Sequence, residues 1–213
     1  IHQSNSMSLW KNYQEAVFET FPDLTFEKQH VHWINDRGVN LTADLYSGKH
    51  FIKSRHVDIW DDKLNIHNNV IYPKTGHNLP CFGMDLMGFF EKKVIIVFDF
   101  QHPVEKYLMS VPELPKAEGT YRFFEPGNHF SENIFVRYCT MSEVDDYLPD
   151  FKNYLSVYKK MLDEAQPTGE DTSCYNDFDK YMIRLDPISG YLGSAFGKEE
   201  SDKLIKEFFF SYA

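Results

Sequence analysis

The stretch Cys81-Phe82-Gly83-Met84-Asp85-Leu86-Met87 is an apolar, strand-like run that a single carboxylate interrupts. Between about Gln29 and Phe100 the chain contains five more runs of this kind, separated by short turn signals. Strands with such short connections lie antiparallel, because a parallel crossover needs a dozen residues or more. The sequence therefore predicts one antiparallel sheet of about six strands, over His30–Ile34, Asn40–Tyr46, His50–Trp60, Asn65–Tyr72, Cys81–Phe89 and Lys93–Phe100.

Helical patterns flank these strands on both sides in the sequence. Ser8 can cap a helix that runs to about Phe21, and Ser142 with Asp145 resembles a capping box that opens a helix to about Ala165. Two more helices are expected over about 171–185 and 199–212. A meander of strands followed by helices predicts an α+β fold with helices on both faces of the sheet. We expect residues 1–213 to form one domain.

Composition narrows the class of protein. The 213 residues include 19 Phe and 13 Tyr, which suits either a phenylalanine-rich core or a cavity for a flat, conjugated ligand. The net charge of -10 argues against nucleic-acid binding. Three widely spaced cysteines fit thiols in a reducing compartment, and no apolar run reaches the roughly 18 residues of a membrane span. We expect a soluble, cytoplasmic protein.

Common catalytic motifs are missing from the chain. It has no GxGxxG after a strand, no Walker A loop, no GxSxG and no zinc-type Cys/His spacing. His30 and His32 could form a metal site with His50 or His56, but two surface histidines on an edge strand are the favoured interpretation, and no metal is expected. An activated thiol at Cys139 has no further support in the sequence.

Two aspartates need a physical explanation. Asp85 lies within an apolar strand, and Asp186 lies at a predicted helix end in Leu185-Asp186-Pro187. A buried carboxylate is costly unless it finds a partner, faces a cavity, or keeps its proton because desolvation raises its pKa. The last case would make Asp85 a proton donor.

Several segments, in order along the chain, resemble the ferredoxin-dependent bilin reductases. Within this family the chain looks most like the phage-type phycoerythrobilin synthases, which reduce biliverdin IXα in two successive two-electron steps. The match extends from about Trp10 to the C-terminal end, and its Leu-Pro-x-Phe-Gly-x-Asp block is quite specific. The segments are Tyr72-Pro73-Lys74, Leu79-Pro80-Cys81-Phe82-Gly83-Met84-Asp85-Leu86, Val94-Ile95-Ile96-Val97-Phe98-Asp99-Phe100-Gln101-His102-Pro103, Gly127-Asn128-His129-Phe130-Ser131, Leu185-Asp186-Pro187 and Phe209-Phe210-Ser211-Tyr212.

The resemblance implies a three-layer α/β/α sandwich in which the bilin lies between a central antiparallel sheet and the C-terminal helices. It also implies that reduced [2Fe-2S] ferredoxin delivers electrons one at a time and that the bilin itself holds the unpaired electron. No tightly bound cofactor is then expected. We expect a monomer in a cyanobacterial cytoplasm, that of a phage-infected host included, or in a plastid stroma.

Site residues follow from the same resemblance. Asp85 matches the family's central catalytic aspartate, and Asp186 matches the second aspartate of the phycoerythrobilin-forming members, which could swing in from solvent. Asn68 and Asp58 stand where phycocyanobilin-forming relatives have a histidine and a glutamate, and both are candidates for substrate binding. A strand aspartate that faces solvent is an equally good interpretation of Asp58. Because asparagine cannot give up a proton at neutral pH, Asn68 favours phycoerythrobilin as the product.

The bilin propionates need cations or hydroxyl groups at the pocket mouth. Arg122 is the first candidate, followed by Ser131 and Arg184, and His129 is expected to line the pocket. Plant-type ferredoxins are acidic, so an acidic enzyme needs a local basic patch to bind one. The candidates for this patch are Lys74, Lys92, Lys93, Arg122, Arg137 and Lys198.

Three alternatives to the four-electron enzyme remain at this point. The chain could be a two-electron member of the family, either a 15,16-dihydrobiliverdin:ferredoxin oxidoreductase or a phycoerythrobilin:ferredoxin oxidoreductase. It could also be a tetrapyrrole carrier that has lost the chemistry, or a metal-dependent hydrolase that uses His30 and His32.

Overall fold

The protein is a seven-stranded sheet with helices on both faces. The computed structural model describes residues 8–74, 79–104, 109–119, 121, 123–167 and 173–212. The strands are β1 (Thr25–Ile34), β2 (Asn40–Ser47), β3 (Phe51–Trp60), β4 (Leu64–Pro73), β5 (Cys81–Phe89), β6 (Lys93–Gln101) and β7 (Phe135–Cys139). The helices are α1 (Lys11–Thr20), α2 (Leu148–Glu164), α3 (Ser173–Leu185), α4 (Ile188–Phe196) and α5 (Lys198–Leu204).

The strands are arranged in chain order from β1 to β7, and every neighbouring pair is antiparallel. This confirms the predicted α+β fold and its antiparallel meander. The sheet has seven strands where about six were predicted. The strand that was not predicted is β7, which follows β6 only after a long connection. β7 has five residues and pairs with β6 alone, so no hairpin signal marks it in the sequence.

Helices α1 and α2 cover one face of the sheet. Their buried side chains pack with every second residue of the central strands, such as Phe82, Met84 and Leu86 of β5. The centre of this layer is Phe98, which stacks on Phe135 at 4.4 Å between ring centroids and meets Tyr154 edge-on at 4.7 Å. This core is the aromatic packing expected from the composition.

Helices α3, α4 and α5 cover the opposite face. Their apolar side chains pack against the alternate residues of β2 to β5, including Val57, Val70 and Tyr72. The chain then ends in a short π-helical turn, Ile205–Phe209, and the ring of Tyr212 stacks on Tyr175 of α3 at 4.2 Å. The C-terminal segment is therefore part of this layer.

The helices differ from the sequence predictions in three respects. The hydroxyl of Ser8 accepts from the Trp10 backbone N–H, and α1 begins only at Lys11. The capping box before α2 is Thr140 with Glu143, whose carboxylate accepts from the Thr140 backbone N–H at 2.9 Å, and it opens a 3-10 turn at Met141–Tyr147. Helix α4 was not predicted, because its glycines weaken a helical pattern.

Among the described residues, no helix combines the length and the apolar character needed to cross a bilayer.

We expect Phe98→Ala to lower the free energy of unfolding by about 3–5 kcal/mol, because the lost ring leaves a cavity among three aromatic neighbours. Phe26→Ala is the control, since this phenylalanine is 45% exposed and its loss should cost well under half as much. Urea unfolding measures both. Equal losses in the two variants would contradict this view of the core.

Candidate functional site

Strand alternation places Asp85 on the face of the sheet that α3, α4 and α5 cover. Its neighbours on β5, Met84 and Leu86, belong to the opposite core. In register, Asp85 lies between Asn68 of β4 and Val97 of β6, so the three side chains share one row across the sheet. The carboxylate that interrupts an apolar strand therefore points away from the α1–α2 core.

Two adjoining cavities, which share some of their lining residues, lie over this row. The outer pocket, of about 410 Å³, has a mainly aromatic and aliphatic lining from β5, β6 and the 121–124 segment, with Lys93 among its residues. The inner pocket, of about 20 Å³, has a mixed lining, with polar side chains of the sheet such as Arg55, Asn68 and Asp99 beside apolar ones such as Met182. Asp85 and Asp186 line both pockets and so mark the boundary between them. A volume of this size and character suits an organic ligand.

Burial raises the pKa of Asp85 to about 6. A hydrogen bond from Asn68 and the positive charge of Arg55 act against this shift without cancelling it. Arg55 also donates from Nη1 to Asn68 Oδ1 at 2.8 Å, which leaves the amide N–H groups of Asn68 for Asp85. With a pKa of about 6, roughly a tenth of the Asp85 carboxyls carry a proton at pH 7, so protonated and ionised forms are both populated near neutral pH.

Asp186 follows the last residue of α3 and lies against the site. Its Oδ1 accepts from the Ile188 backbone N–H at 2.9 Å, and the side chain is buried. Burial, and then the like charge of Asp85, raise its pKa to about 7. In this structure the carboxyl of Asp186 already borders both pockets, so it does not have to swing in from solvent to reach them.

Sequence reasoning missed a third carboxyl and a cation. Asp99 of β6 lines the inner pocket, accepts from both the backbone N–H and the hydroxyl of Ser131, and has a pKa raised to about 7 by burial. Arg55 of β3 is completely buried and packs on the ring of Phe209 at 4.7 Å. An arginine in the middle of a strand and an aspartate within Val97-Phe98-Asp99-Phe100 were signals comparable to Asp85.

The structure contradicts the placement of Asp58 in this site. Strand alternation turns Asp58 to the α1 face, where it is buried and bonded to His67 at 2.9 Å and to Gln14 of α1 at 3.0 Å. The β3 residue paired with Asn68 is Val57, which packs on the α3–α5 face. Asp58 therefore does not line the two pockets.

The remaining predicted site residues have different positions. Ser131 is buried and holds Asp99, while His129 is buried, donates from Nδ1–H to the His102 carbonyl at 2.7 Å, and packs on Tyr181 at 4.6 Å. Neither residue lines the two pockets, although Ser131 orients a residue that does. Arg184 is exposed, with its guanidinium over Tyr181. Arg122 lies outside the described residues.

The proposed basic patch is not a single surface. In the antiparallel register, Lys93 lies at the sheet end that also holds Phe89 and Leu64, whereas Lys74 follows β4 at the other end. Lys198 is paired with Asp202 at 2.6 Å. Lys93, which is exposed and lines the outer pocket, is the patch candidate that the structure brings to the site.

The described residues do not form a metal site of the kind considered as an alternative. No group of three His, Cys, Asp or Glu side chains in the described part of the chain is placed to hold a metal. His30 stacks on Phe208, while His56 lies on the other face beside Ser54. Burial and the acidic neighbours Glu143 and Asp146 raise the pKa of Cys139 to about 11, so the activated-thiol hypothesis is wrong.

Comparisons with known proteins agree on one family. A family model described as ferredoxin-dependent bilin reductase matches residues 24–211. The chain is 28% identical over 204 residues to a 15,16-dihydrobiliverdin:ferredoxin oxidoreductase of Nostoc punctiforme, covering 84% of this chain and 83% of the relative. A protein of the same name from Parasynechococcus marenigrum is 33% identical over 170 residues, covering 70% of this chain and 72% of the relative.

A solved structure has the same fold. Phytochromobilin synthase from tomato, in complex with biliverdin, superposes with a TM-score of 0.73 at 17% identity, covering 95% of this chain and 83% of the other.

The raised pKa of Asp186 predicts a pH dependence of stability. Its pKa is about 7 in the folded protein and near the ordinary value of 3.8 when unfolded, so between these values the folded state binds more protons. Stability should then fall as pH rises, by up to about 1.4 kcal/mol per pH unit for one such group. Asp186→Asn should flatten this slope between about pH 4.5 and 7 in urea unfolding.

Asp163→Asn is the matched control for this slope. A hydrogen bond from Lys159 lowers the pKa of Asp163, so this group has the opposite sign and titrates below the same pH window. Its variant should keep the wild-type slope. If the dependence of stability on pH were the same in Asp186→Asn as in wild type, burial would not raise the pKa of this carboxyl.

Proposed function

The chain belongs to the ferredoxin-dependent bilin reductases, and on this premise we propose that it reduces biliverdin IXα to phycoerythrobilin through 15,16-dihydrobiliverdin. Membership makes it an oxidoreductase that acts on bilins with ferredoxin as the electron donor. The observation that supports this particular product is the pair of carboxyls, Asp85 and Asp186, at the boundary of the two pockets. The whole chain acts as one bilin reductase domain.

Each of the two reductions consumes two electrons and two protons. Ferredoxin supplies single electrons, so the bilin passes through radical states between them. The protein then has to bind the pigment, exclude water and supply protons at defined atoms. The apolar walls of the outer pocket can hold the conjugated pigment, and the tomato enzyme of the same fold binds biliverdin. Lys93 can contact a propionate at this end of the sheet, and Arg122 remains a candidate through its resemblance to a family arginine.

Asp85 acts on the centre of the pigment in this proposal. Its carboxyl hydrogen-bonds the pyrrole nitrogens, stabilises the protonated and more reducible bilin, and passes protons to it. A carboxyl with a pKa of about 6 changes its protonation state at little cost near neutral pH. Asn68 holds this carboxyl through an amide that does not release a proton, which supports phycoerythrobilin rather than phycocyanobilin as the product.

Asp186 supplies the second reduction in this proposal. It shares the pocket boundary with Asp85, and the like charge of Asp85 helps to keep its proton in place. Two neighbouring carboxyls in a desolvated site cannot easily both be ionised, so one proton is retained for transfer. This proton is used at the A-ring diene.

A second candidate has one observation in its favour. The relatives in Nostoc punctiforme and Parasynechococcus marenigrum are named 15,16-dihydrobiliverdin:ferredoxin oxidoreductase. A two-electron reaction that stops at 15,16-dihydrobiliverdin is therefore the alternative. Anaerobic incubation of the protein with biliverdin and reduced ferredoxin, followed by chromatography, separates the two: phycoerythrobilin supports the proposal, and an accumulated dihydrobiliverdin supports the alternative.

Asp85→Asn should lower ferredoxin-driven turnover of biliverdin by about 100-fold or more, because the central proton donor is lost while the pocket keeps its shape. Absorbance titration should find biliverdin binding within a few-fold of wild type. The control is Asp179→Asn. Asp179 is a buried aspartate of α3 that accepts hydrogen bonds from the Tyr72 hydroxyl and the Tyr212 backbone N–H, and it lines neither of the two pockets. If Asp85→Asn turned over biliverdin at the wild-type rate, Asp85 would not be the central proton donor.

Asp186→Asn should carry out the first reduction and accumulate 15,16-dihydrobiliverdin, because the amide cannot protonate the A-ring diene. Product chromatography over an anaerobic time course measures this. The Asp179→Asn control should continue to the final product. Phycoerythrobilin formed at the wild-type rate by Asp186→Asn would refute the role given to this carboxyl.

A further inference from the structure

The inner pocket contains two buried polar atoms that have no hydrogen-bond partner among the described residues. One is Nη2 of Arg55, a donor, and the other is Oε1 of Gln101, an acceptor. Both side chains line the same cavity, together with Asp85 and Asp186. An unsatisfied buried donor or acceptor is unfavourable, and more so when it is charged. Such atoms therefore indicate where a ligand with complementary polar groups would bind.

Arg55 is held rigidly in this position. Its Nε donates to the backbone carbonyl of Phe209, and its Nη1 donates to Asn68 Oδ1 at 2.8 Å. The rings of Phe209 and Phe210 lie against the guanidinium at 4.7 and 5.2 Å. With these contacts in place, Nη2 is the one nitrogen of the guanidinium left for a ligand within the described residues. A rotamer change would break several interactions at once.

Gln101 of β6 lines the same cavity beside Gly83 of β5. A Cβ atom built on Gly83 would overlap the Gln101 amide, so the glycine provides the space that this amide occupies. In sheet register, Gly83 pairs with Val70 and Asp99, and Val70 pairs with Arg55. The arginine and the glutamine therefore lie near the space that the missing side chain of Gly83 leaves on this face of the sheet.

The two atoms match one chemical group of the proposed substrate. Each end of a bilin carries a lactam, whose carbonyl oxygen accepts and whose adjacent N–H donates along one edge of the ring. We propose that one terminal lactam enters the inner pocket, with its oxygen on Arg55 Nη2 and its N–H on Gln101 Oε1. Arg55 and Gln101 are then positioning residues that set which way the pigment enters.

The sizes of the two cavities agree with this placement. About 20 Å³ admits a single oxygen atom or the edge of a ring, while about 410 Å³ in the outer pocket holds the rest of the chromophore. Asp85 and Asp186, at the boundary, would lie beside the ring next to the anchored edge. The inference rests on the proposed function, since it takes a bilin as the ligand.

Binding of lactim methyl ethers of biliverdin tests the inference without turnover. O-Methylation of one terminal lactam removes the N–H and weakens the oxygen as an acceptor, and each end of the pigment is modified separately. Wild-type protein should bind one of the two regioisomers about tenfold or more weaker than biliverdin in absorbance titrations. In Arg55→Met and in Gln101→Leu this discrimination should fall to about twofold or less.

Lys53→Met is the matched control. Lys53 is a half-buried cation on the same strand and face as Arg55, with its ammonium over the Tyr72 ring, and it does not line the inner pocket. This variant should keep the wild-type discrimination. Thermal unfolding checks that each protein is folded, and if Arg55→Met does not fold, Gln101→Leu gives the answer alone.

The outcomes distinguish failure of the proposed function from failure of the lactam-binding inference. Wild-type protein that does not bind biliverdin at all overturns the proposed function, and with it this inference. Biliverdin binding with equal affinity for both ethers, as expected if a water molecule fills the inner pocket, overturns the inference alone. Discrimination that survives in both Arg55→Met and Gln101→Leu overturns it as well.

Discussion

The alternation of side chains along β5 is the constraint on which the site depends. One residue in two faces the α1–α2 core, and the next faces the α3–α5 layer, so Asp85 cannot leave the protein interior without moving the whole strand. A carboxyl held in this way is desolvated, and its pKa rises to about 6. The fold itself therefore produces a carboxyl whose pKa lies close to neutral pH.

The C-terminal layer contributes a second carboxyl and a backbone carbonyl to the site on the sheet. α3 ends at the pocket boundary, so that Asp186 follows its last turn, and the π-helical turn delivers the Phe209 carbonyl to Arg55. This carbonyl also accepts from the Tyr72 hydroxyl at 3.3 Å. Sheet and C-terminal segment are thus joined by buried hydrogen bonds next to the pocket. Such bonds are strong in a low-dielectric interior and fix the relative positions of the groups they join.

The charge balance around the pocket also has a simple physical basis. Three carboxyls with raised pKa values, Asp85, Asp99 and Asp186, lie around one buried guanidinium. A single cation cannot stabilise three anions in a desolvated volume, so protons replace some of the missing positive charge. Asp99 differs from the other two because Ser131 satisfies both of its oxygens. Its carboxyl is held in place, whereas Asp85 and Asp186 face open volume.

The sequence alone determined the strand-rich half, its antiparallel order, the flanking helices, the family and the two aspartates of the pocket boundary. The strands and helices follow from local patterns of apolar runs, short turns and helix signals, whereas the family and the two aspartates rest on the resemblance of several segments to a known family. The sequence could not determine which face Asp58 occupies, because a one-residue difference in register reverses the face of a strand residue. It also could not reveal β7, α4 or the roles of Arg55 and Gln101. Those depend on residues far apart in the chain, and only tertiary packing brings Phe209 to Arg55 and removes water from both.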